Sequence, residues 1–348
     1  MTQGYVQDAT TDGPASPPAS AAVRRFRWQR DGMWRRGLVL AIVAVGEALL
    51  LLFHSALPNR VGNLGSLLET FLPWLGASVP VLAVCAVLRR STIALIALLL
   101  PLGTWLSLFG GLLADKTSGG GDLTVLTHNV NAANADPVGT ARAVAASGAD
   151  VVALEELTPS AVPAYAKALA STYPYHSVQG TVALWSRYPL HGVKPVDIKL
   201  GWTRAMRAVV TTADGRIAVY VAHLPSVRVK FDAGFTAAGR DRSAEALGQA
   251  IAREPTRGVV LLGDLNGTVN DRALAPITSQ MRSAQGAAGE GFGFSWPARF
   301  PVARIDHILV RGIKPRTSWT LAPTGSEHLP VAARLQIATG TADSAARP

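Results

Sequence analysis

The chain opens with long apolar runs and then turns to short ones. Gly37 to about Leu57 is apolar except for Glu47 and His54. Ser66 to Leu88 carries only Glu69, near its start, and Thr92 to Leu113 carries no charge. Each run is close to the roughly 20 residues a helix needs to cross a bilayer. The pattern predicts an all-α transmembrane region of three helices, over about 37–57, 66–88 and 92–113. The third run has no polar face, which argues against a soluble bundle. A cleaved signal peptide does not fit, because the first run starts late and two more follow it.

Charge orients these spans. Residues 1–36 form a polar tail that the composition predicts to be disordered, ending in a basic patch of Arg24, Arg25, Arg27, Arg30, Arg35 and Arg36. Arg89 and Arg90 lie between the second and third runs, whereas the loop between the first and second has only Arg60. The positive-inside rule places the N-terminus and the Arg89-Arg90 turn in the cytoplasm, and everything after residue 115 outside. Glu47, costly within a span, is expected to face another helix or lie near an interface.

After a Gly/Ser linker at 116–121, the periodicity changes. Apolar stretches of about five residues at 123–127, 150–154, 181–185, 205–211, 216–222, 304–310 and 329–336 read as strands. Helical patterns cover about 137–147, 160–170 and 241–253. Asp214-Gly215 turns the 205–222 pair into a hairpin. Strands outnumber helices, and hairpins mix with crossovers. That mixture predicts an α+β sandwich over 122–337, with sheets face to face, helices outside and a polar tail at 338–348.

One stretch concentrates the chemistry. Val259-Val260-Leu261-Leu262 reads as a strand buried on both faces, ended by Gly263 and followed by Asp264-Leu265-Asn266. Alternation puts Asp264 and Asn266 together on the rim, with Leu265 turned to the core. Similar polar groups stand at the other strand ends: Asn129, Asn131, Glu156, His223, Asp306, Glu327 and His328. The single cysteine, Cys85, lies in an apolar run, so a disulfide framework and a Cys-based metal site are excluded. Carboxylates and amides prefer a hard cation, Mg2+ or Mn2+, and with two histidines they suggest metal-assisted attack of water on a phosphate ester. The net charge of +10 is mildly in keeping with a phosphate-bearing partner.

The series resembles the endonuclease/exonuclease/phosphatase superfamily, the DNase I-like fold. The motifs occur in family order: His128-Asn129-Val130-Asn131, Asp150 to Glu156, His223-Leu224, Gly263-Asp264-Leu265-Asn266, Arg304 to Leu309, and Ser326-Glu327-His328. The resemblance implies a four-layer α/β/β/α sandwich and metal-dependent phosphoester hydrolysis. It makes Glu156 the principal metal ligand, with Asn129 helping and Glu327 as a second carboxylate. Glu155 stands where the family usually has Gln, and Glu327 where it usually has Asp. Asp264 would take a proton from water that Asn266 orients. Asp306 would pair with His328, whose charged imidazole stabilises the transition state, and His223 would donate to the phosphate. Apart from the resemblance, Arg204 and Arg207 flank a strand that begins near the site and could clamp a phosphate, with solvated charge as their default reading, and Asn131 is a further candidate for substrate binding.

Other features leave alternatives open. Phe292, Phe294, Trp296 and Phe300 could stack on a base, dip into lipid or pack beneath the site. Arg228, Lys230, Arg240 and Arg242 bracket the loop after His223, and solvated charge is their default reading. The implied partner is a phosphate ester, nucleic acid or phospholipid headgroup, with nuclease slightly favoured. The competing classes are a lipid phosphodiesterase and a noncatalytic membrane module that kept the fold. No obligate protein partner is expected.

Overall fold

The computed structural model describes residues 37–59, 62–230 and 234–337, so the expectations for the two tails and Arg60 fall outside it. Among the described residues five α-helices come first: α1 (Leu38–Leu52), α2 (Leu64–Phe71), α3 (Ser78–Leu88), α4 (Thr92–Ala97) and α5 (Leu99–Phe109). A 3-10 segment at Leu72–Ala77 joins α2 to α3, which makes Leu64–Leu88 one apolar stretch; Thr92–Leu112 is the other. These two are long and apolar enough to cross a membrane, by length and composition. The first run differs from expectation. Its α-helix stops after 15 residues, which rise only about 22 Å, and continues as a 3-10 turn at His54–Ala56. His54 leaves the helical path and meets Glu69 at 3.2 Å.

The helices pack through small residues: Ala44, Ala86 and Ala94, with Leu98, form one buried cluster. Glu47 accepts a hydrogen bond from the Ser78 hydroxyl, so this acid faces another helix. Gly37 lies against Ser91, which puts the start of α1 beside the Arg89-Arg90 turn. At the other end, Leu51, Leu72 and Phe109 pack with Phe292 of the sheet region.

From Leu123 onward the chain forms two six-stranded sheets. In order they use β1 (Leu123–Asn129), β2 (Val151–Glu155), β3 (Tyr175–Gln179), β4 (Val182–Ser186), β5 (Leu190–Pro195), β6 (Ala205–Thr212) and β7 (Gly215–Ala222). After the small pair β8 (Val229–Lys230) and β9 (Gly234–Phe235) come β10 (Gly258–Asp264), β11 (Arg282–Ser283), β12 (Asp306–Arg311), β13 (Ile313–Thr320) and β14 (Val331–Ile337). One sheet runs β13-β14-β1-β2-β4-β3 and the other β11-β12-β10-β7-β6-β5. The central pairs β1–β2 and β10–β7 are parallel, with antiparallel partners outside them. Both central strands are buried on each face, which explains their unbroken apolar runs.

Alternate residues of each strand face different layers. Val125, Val151, Val219, Val260 and Ile308 fill the space between the sheets. Leu126, Val152 and Leu154 point outward to α6 (Pro137–Ala146) and α7 (Val162–Leu169). Leu261, Tyr220 and Leu265 point outward to α8 (Ala238–Ala252) and the short α9 (Ala275–Thr278). A further short helix, α10 (Ala284–Ala288), follows β11. The result is the expected α/β/β/α sandwich. Its parallel strands end at one rim, where the polar motifs meet.

Candidate active site

Backbone geometry gathers the site. Gly263 has φ +149°, and a Cβ there would lie 1.9 Å from the Ala222 carbonyl oxygen. Only glycine lets β10 press so close to β7 at the rim. Asn131, Glu156 and Asn266 then take left-handed conformations, with φ of 62°, 57° and 47°. Such backbone is unfavourable for residues with side chains and clusters at functional sites. Here it turns three strand exits back over one spot.

Asp264 sits at the centre, and it is buried rather than on a solvated rim, with 1% of its surface exposed. The end of β1, the residues after β7 and the start of β12 surround it. Its Oδ2 accepts from Asn129 Nδ2 at 3.0 Å and Asn266 Nδ2 at 3.2 Å, and its Oδ1 from the Asn266 amide at 2.9 Å. Burial and the nearby Asp306 push its pKa up to about 7. Leu265 turns into the core, as alternation predicts.

The two histidines differ in charge. His328 Nδ1 lies 2.9 Å from Asp306 Oδ2, which also accepts from the buried Ser295 hydroxyl at 2.6 Å. Burial opposes a charge on His328, but Asp306, Asp264 and Glu156 outweigh it and push its pKa up to about 10. His328 Nε2 faces Asp264 Oδ2 at 3.9 Å. His223 Nε2 is 3.6 Å from both Glu156 Oε1 and Asp264 Oδ2. Burial, with the Arg204 and His328 cations, holds its pKa well below the ordinary range. His328 is therefore an imidazolium at neutral pH and His223 a neutral imidazole, which still offers one N–H.

Glu156 Oε2 accepts the Ala132 amide at 3.0 Å, leaving Oε1 toward the site. Glu155 points the other way, between the sheets. It is wholly buried, accepts from the Thr127 hydroxyl at 2.8 Å and has no partner on Oε2 among the described residues. Burial raises its pKa well above the carboxylate range, with Asp306 and Asp264 adding to the rise.

The remaining expected residues divide. Arg204 abuts the His223 ring and stacks 5.1 Å over Trp202, so it belongs to the site's wall. Asn131 and Glu156 line a polar cavity of about 180 Å3 with Asn134, Thr158, Ser160 and Tyr165. The structure does not bring Arg207 to the site: it forms a bidentate pair with Glu254 at 2.8 and 3.0 Å, beside Lys194 and Arg253. Nor does it bring Glu327 there. That side chain is exposed, and its backbone carbonyl accepts from Ala298. His307 donates to the Gly267 carbonyl and serves the loop.

A cation fits this donor set. Ligand atoms of Asp264, Asp306 and His328 lie within 4.8 Å of one another. Since His328 and Asp306 are engaged with each other, the oxygens of Asp264 and Glu156 are the ones left to hold a metal. Burial first, and the Asp306 charge second, disfavour the ionised form of Asp264, a cost that a divalent ion would relieve.

Residues 126–328 match the model of the Endonuclease/Exonuclease/phosphatase family. The chain belongs to that family. No curated protein matches it in sequence. Solved structures of the same fold include a functionally unknown conserved protein from Enterococcus faecalis V583, at 14% identity and TM-score 0.52, covering 61% of this chain and 99% of that one. D. rerio TDP2 complexed with single strand DNA product aligns at 18% identity and TM-score 0.52, over 62% and 98% of the two chains. An endonuclease/exonuclease/phosphatase from Bacteroides vulgatus aligns at 18% identity and TM-score 0.51, over the same shares.

Membership in the endonuclease/exonuclease/phosphatase family accounts for the rim, but not every support of it is a motif residue. Ser295 fixes Asp306, and Ser326 ties the His328 amide to the Asn129 carbonyl, at 3.1 and 2.6 Å. The Ser326 position was visible in its motif, whereas nothing in sequence marks Ser295. Arg240, read as solvated, is fully buried against Asp271. Phe292 and Phe294 stack on each other, Phe294 stacks on Trp74 of the helical region and Phe292 meets Trp105 at a tilt, while Phe300 stays exposed.

Proposed function

We propose that the chain is a membrane-anchored, outward-facing phosphoesterase that hydrolyses phosphodiester bonds with a divalent cation, Mg2+ or Mn2+. The observation that carries this reading is the division of charge around Asp264. A buried base, a charged histidine and a neutral histidine converge on one spot, as in-line attack of water on phosphorus requires. Asp264 accepts the proton of the attacking water. Asn266 spends its amide nitrogen on Asp264 and on the Leu224 carbonyl, at 2.9 Å, which leaves its oxygen to orient that water. His328, held charged by Asp306, faces the negative charge that builds on the phosphoryl oxygens. His223 donates its N–H to the phosphate, and Arg204 adds a cation at the wall. Glu156 and Asp264 would hold the metal, which when bound neutralises phosphate oxygens and the leaving oxygen.

The helical region supports the membrane placement. The start of α1 and the Arg89-Arg90 turn share one end of the bundle, and the sheets pack on the other. Read with the positive-inside rule, this arrangement supports a cytoplasmic Arg89-Arg90 end and an active site outside. This position also favours a lipid headgroup over nucleic acid. The loops that carry the site rest against the helices, and Phe292 and Phe294 are already stacked and not free for a base. The net positive charge is the support for nucleic acid.

Full-length protein in detergent should hydrolyse phospholipid vesicles or plasmid DNA with Mg2+ or Mn2+ and stop with EDTA. Failure on both, and on a simple phosphodiester such as bis(p-nitrophenyl) phosphate, would refute the reading.

A further inference from the structure

The loop that leaves the catalytic strand, Asn266 to Arg272, is clamped from two sides. On the sheet side, Arg240 of α8 is wholly buried. Its Nη1 donates to the Asn266 carbonyl at 2.9 Å, its Nη2 lies 2.7 Å from Asp271 Oδ2, and its Nε donates to Asp241 at 2.7 Å. A Cβ on Gly267 would lie 2.3 Å from Arg240 Nη1, so the glycine admits this close approach. On the other side stands α2, the first part of the second apolar stretch. The Ser66 hydroxyl donates to Asp271 Oδ1 at 3.2 Å, and the Glu69 carbonyl accepts from the Thr268 hydroxyl at 3.1 Å. The fully buried Glu69 carboxylate takes the Arg272 amide at 3.0 Å and its guanidinium at 2.9–3.1 Å. Arg272 reaches on to the carbonyls of His54, at 2.6 Å, and Leu57.

A passive tether needs none of these contacts. Desolvating Glu69 and Arg240 is costly unless each is fully paired, and breaking one partner of such a pair is strongly destabilising locally. Hydrogen bonds from Glu69 and Ser66 reach Arg272 and Asp271, an ion pair joins Asp271 to Arg240, and Arg240 bonds the backbone of Asn266. We infer that the outer turn of the second apolar helix is a positioning element of the active site, with Glu69 and Arg240 as positioning residues for Asn266. The inference rests on the reading of Asp264 and Asn266 as catalytic. The helical region and the sandwich then form one enzyme.

The test uses full-length protein in detergent and bis(p-nitrophenyl) phosphate, a soluble ester whose binding needs no membrane. Glu69→Gln keeps shape and removes the charge. Displacing a catalytic group by about 1 Å costs on the order of 100-fold in rate, so kcat should fall about 10- to 100-fold with KM and the metal requirement little changed. Ser66→Ala, a milder cut on the same path, should give a smaller fall in kcat while the protein stays folded. Arg240→Lys, which cannot reach three acceptors, should resemble Glu69→Gln. Adding Glu69→Gln to Asn266→Ala should cost little more than Asn266→Ala alone, because both act through one residue. A merely structural role predicts earlier melting with unchanged kcat per folded molecule, and fold-changes that multiply. Either result overturns the inference. Asp264→Asn is the control: if it keeps full activity, the catalytic reading falls first. If it abolishes activity while Glu69→Gln and Ser66→Ala do not reduce kcat, only the positioning role falls.

Discussion

Asp264→Asn separates chemistry from folding, and the hydrogen bonds set the scale of each. All three groups that meet the carboxylate are donors: Asn129 Nδ2, Asn266 Nδ2 and the Asn266 amide. An asparagine keeps one acceptor and must turn its NH2 toward a donor. One buried hydrogen bond is therefore lost, at about 1–3 kcal/mol. Removing a charge beside Asp306 offsets part of that, since this repulsion raises the pKa of Asp264. Melting should drop by no more than about 2–10 °C for a domain of this size. The loss in rate should be larger. A general base contributes about 10²- to 10⁴-fold, or about 3–5.5 kcal/mol of barrier. Turnover and melting temperature, measured on one preparation at saturating Mg2+, decide between the two effects. A variant that melts early yet turns over normally when folded would refute the assignment.

The adjacent glutamates make a paired test. Glu156→Gln should raise the Mg2+ concentration needed for activity sharply, measured by metal titration of turnover. Glu155→Gln should leave it unchanged, because burial already favours the neutral carboxyl and the Gln oxygen can still accept from Thr127; the reverse result would transfer the ligand role to Glu155. Acid stability turns on Glu254. Burial works to raise its pKa, but hydrogen bonds from Arg207, Thr256 and Tyr220 outweigh that and bring it down to about 2, below the roughly 4.3 of an unfolded chain. Its contribution is complete above the unfolded value and is lost as pH falls from there through about 2. Denaturant midpoints across that window should fall steeply in the parent and less so in Glu254→Gln, and equal slopes would count against the pairing. For topology, protease added to intact spheroplasts should cut in the linker at 116–121; cleavage only after permeabilisation would reverse the proposed orientation.

How far the sequence could be read depended on where each residue sits in a sheet. The central strands β1, β2, β7 and β10 are apolar on both faces, and their runs were plain. Three longer strands escaped notice: β3, β5 and β13. All three are sheet edges. Tyr175–Gln179 and Leu190–Pro195 are largely exposed, so no apolar pattern marks them. Ile313–Thr320 holds Pro315, and its register shifts between Pro315 and Thr317. Proline is tolerated there because an edge strand has a side with no ladder to break.

The site shows the same logic at finer grain. Along 264–266, alternation sends Leu265 to the core and leaves Asp264 and Asn266 together, as the structure has them. Alternation could not settle Glu155 against Glu156, because Glu156 leaves the strand in a left-handed turn that carries its carboxylate to the rim, while Glu155 stays between the sheets. Arg240 was illegible for another reason. It stands with Arg228, Lys230 and Arg242 around a loop, where solvated charge is the default, and its partner Asp271 comes 31 residues later. Glu69 stands near the start of an apolar run with nothing beside it to mark a partner, and Arg272, which pairs with it, lies about 200 residues away. Periodicity reports which face a side chain takes. Pairing across such distances depends on how whole elements dock. The residues that hold Asn266 in place are of the second kind, which is why the catalytic motif was visible in the chain and its support was not.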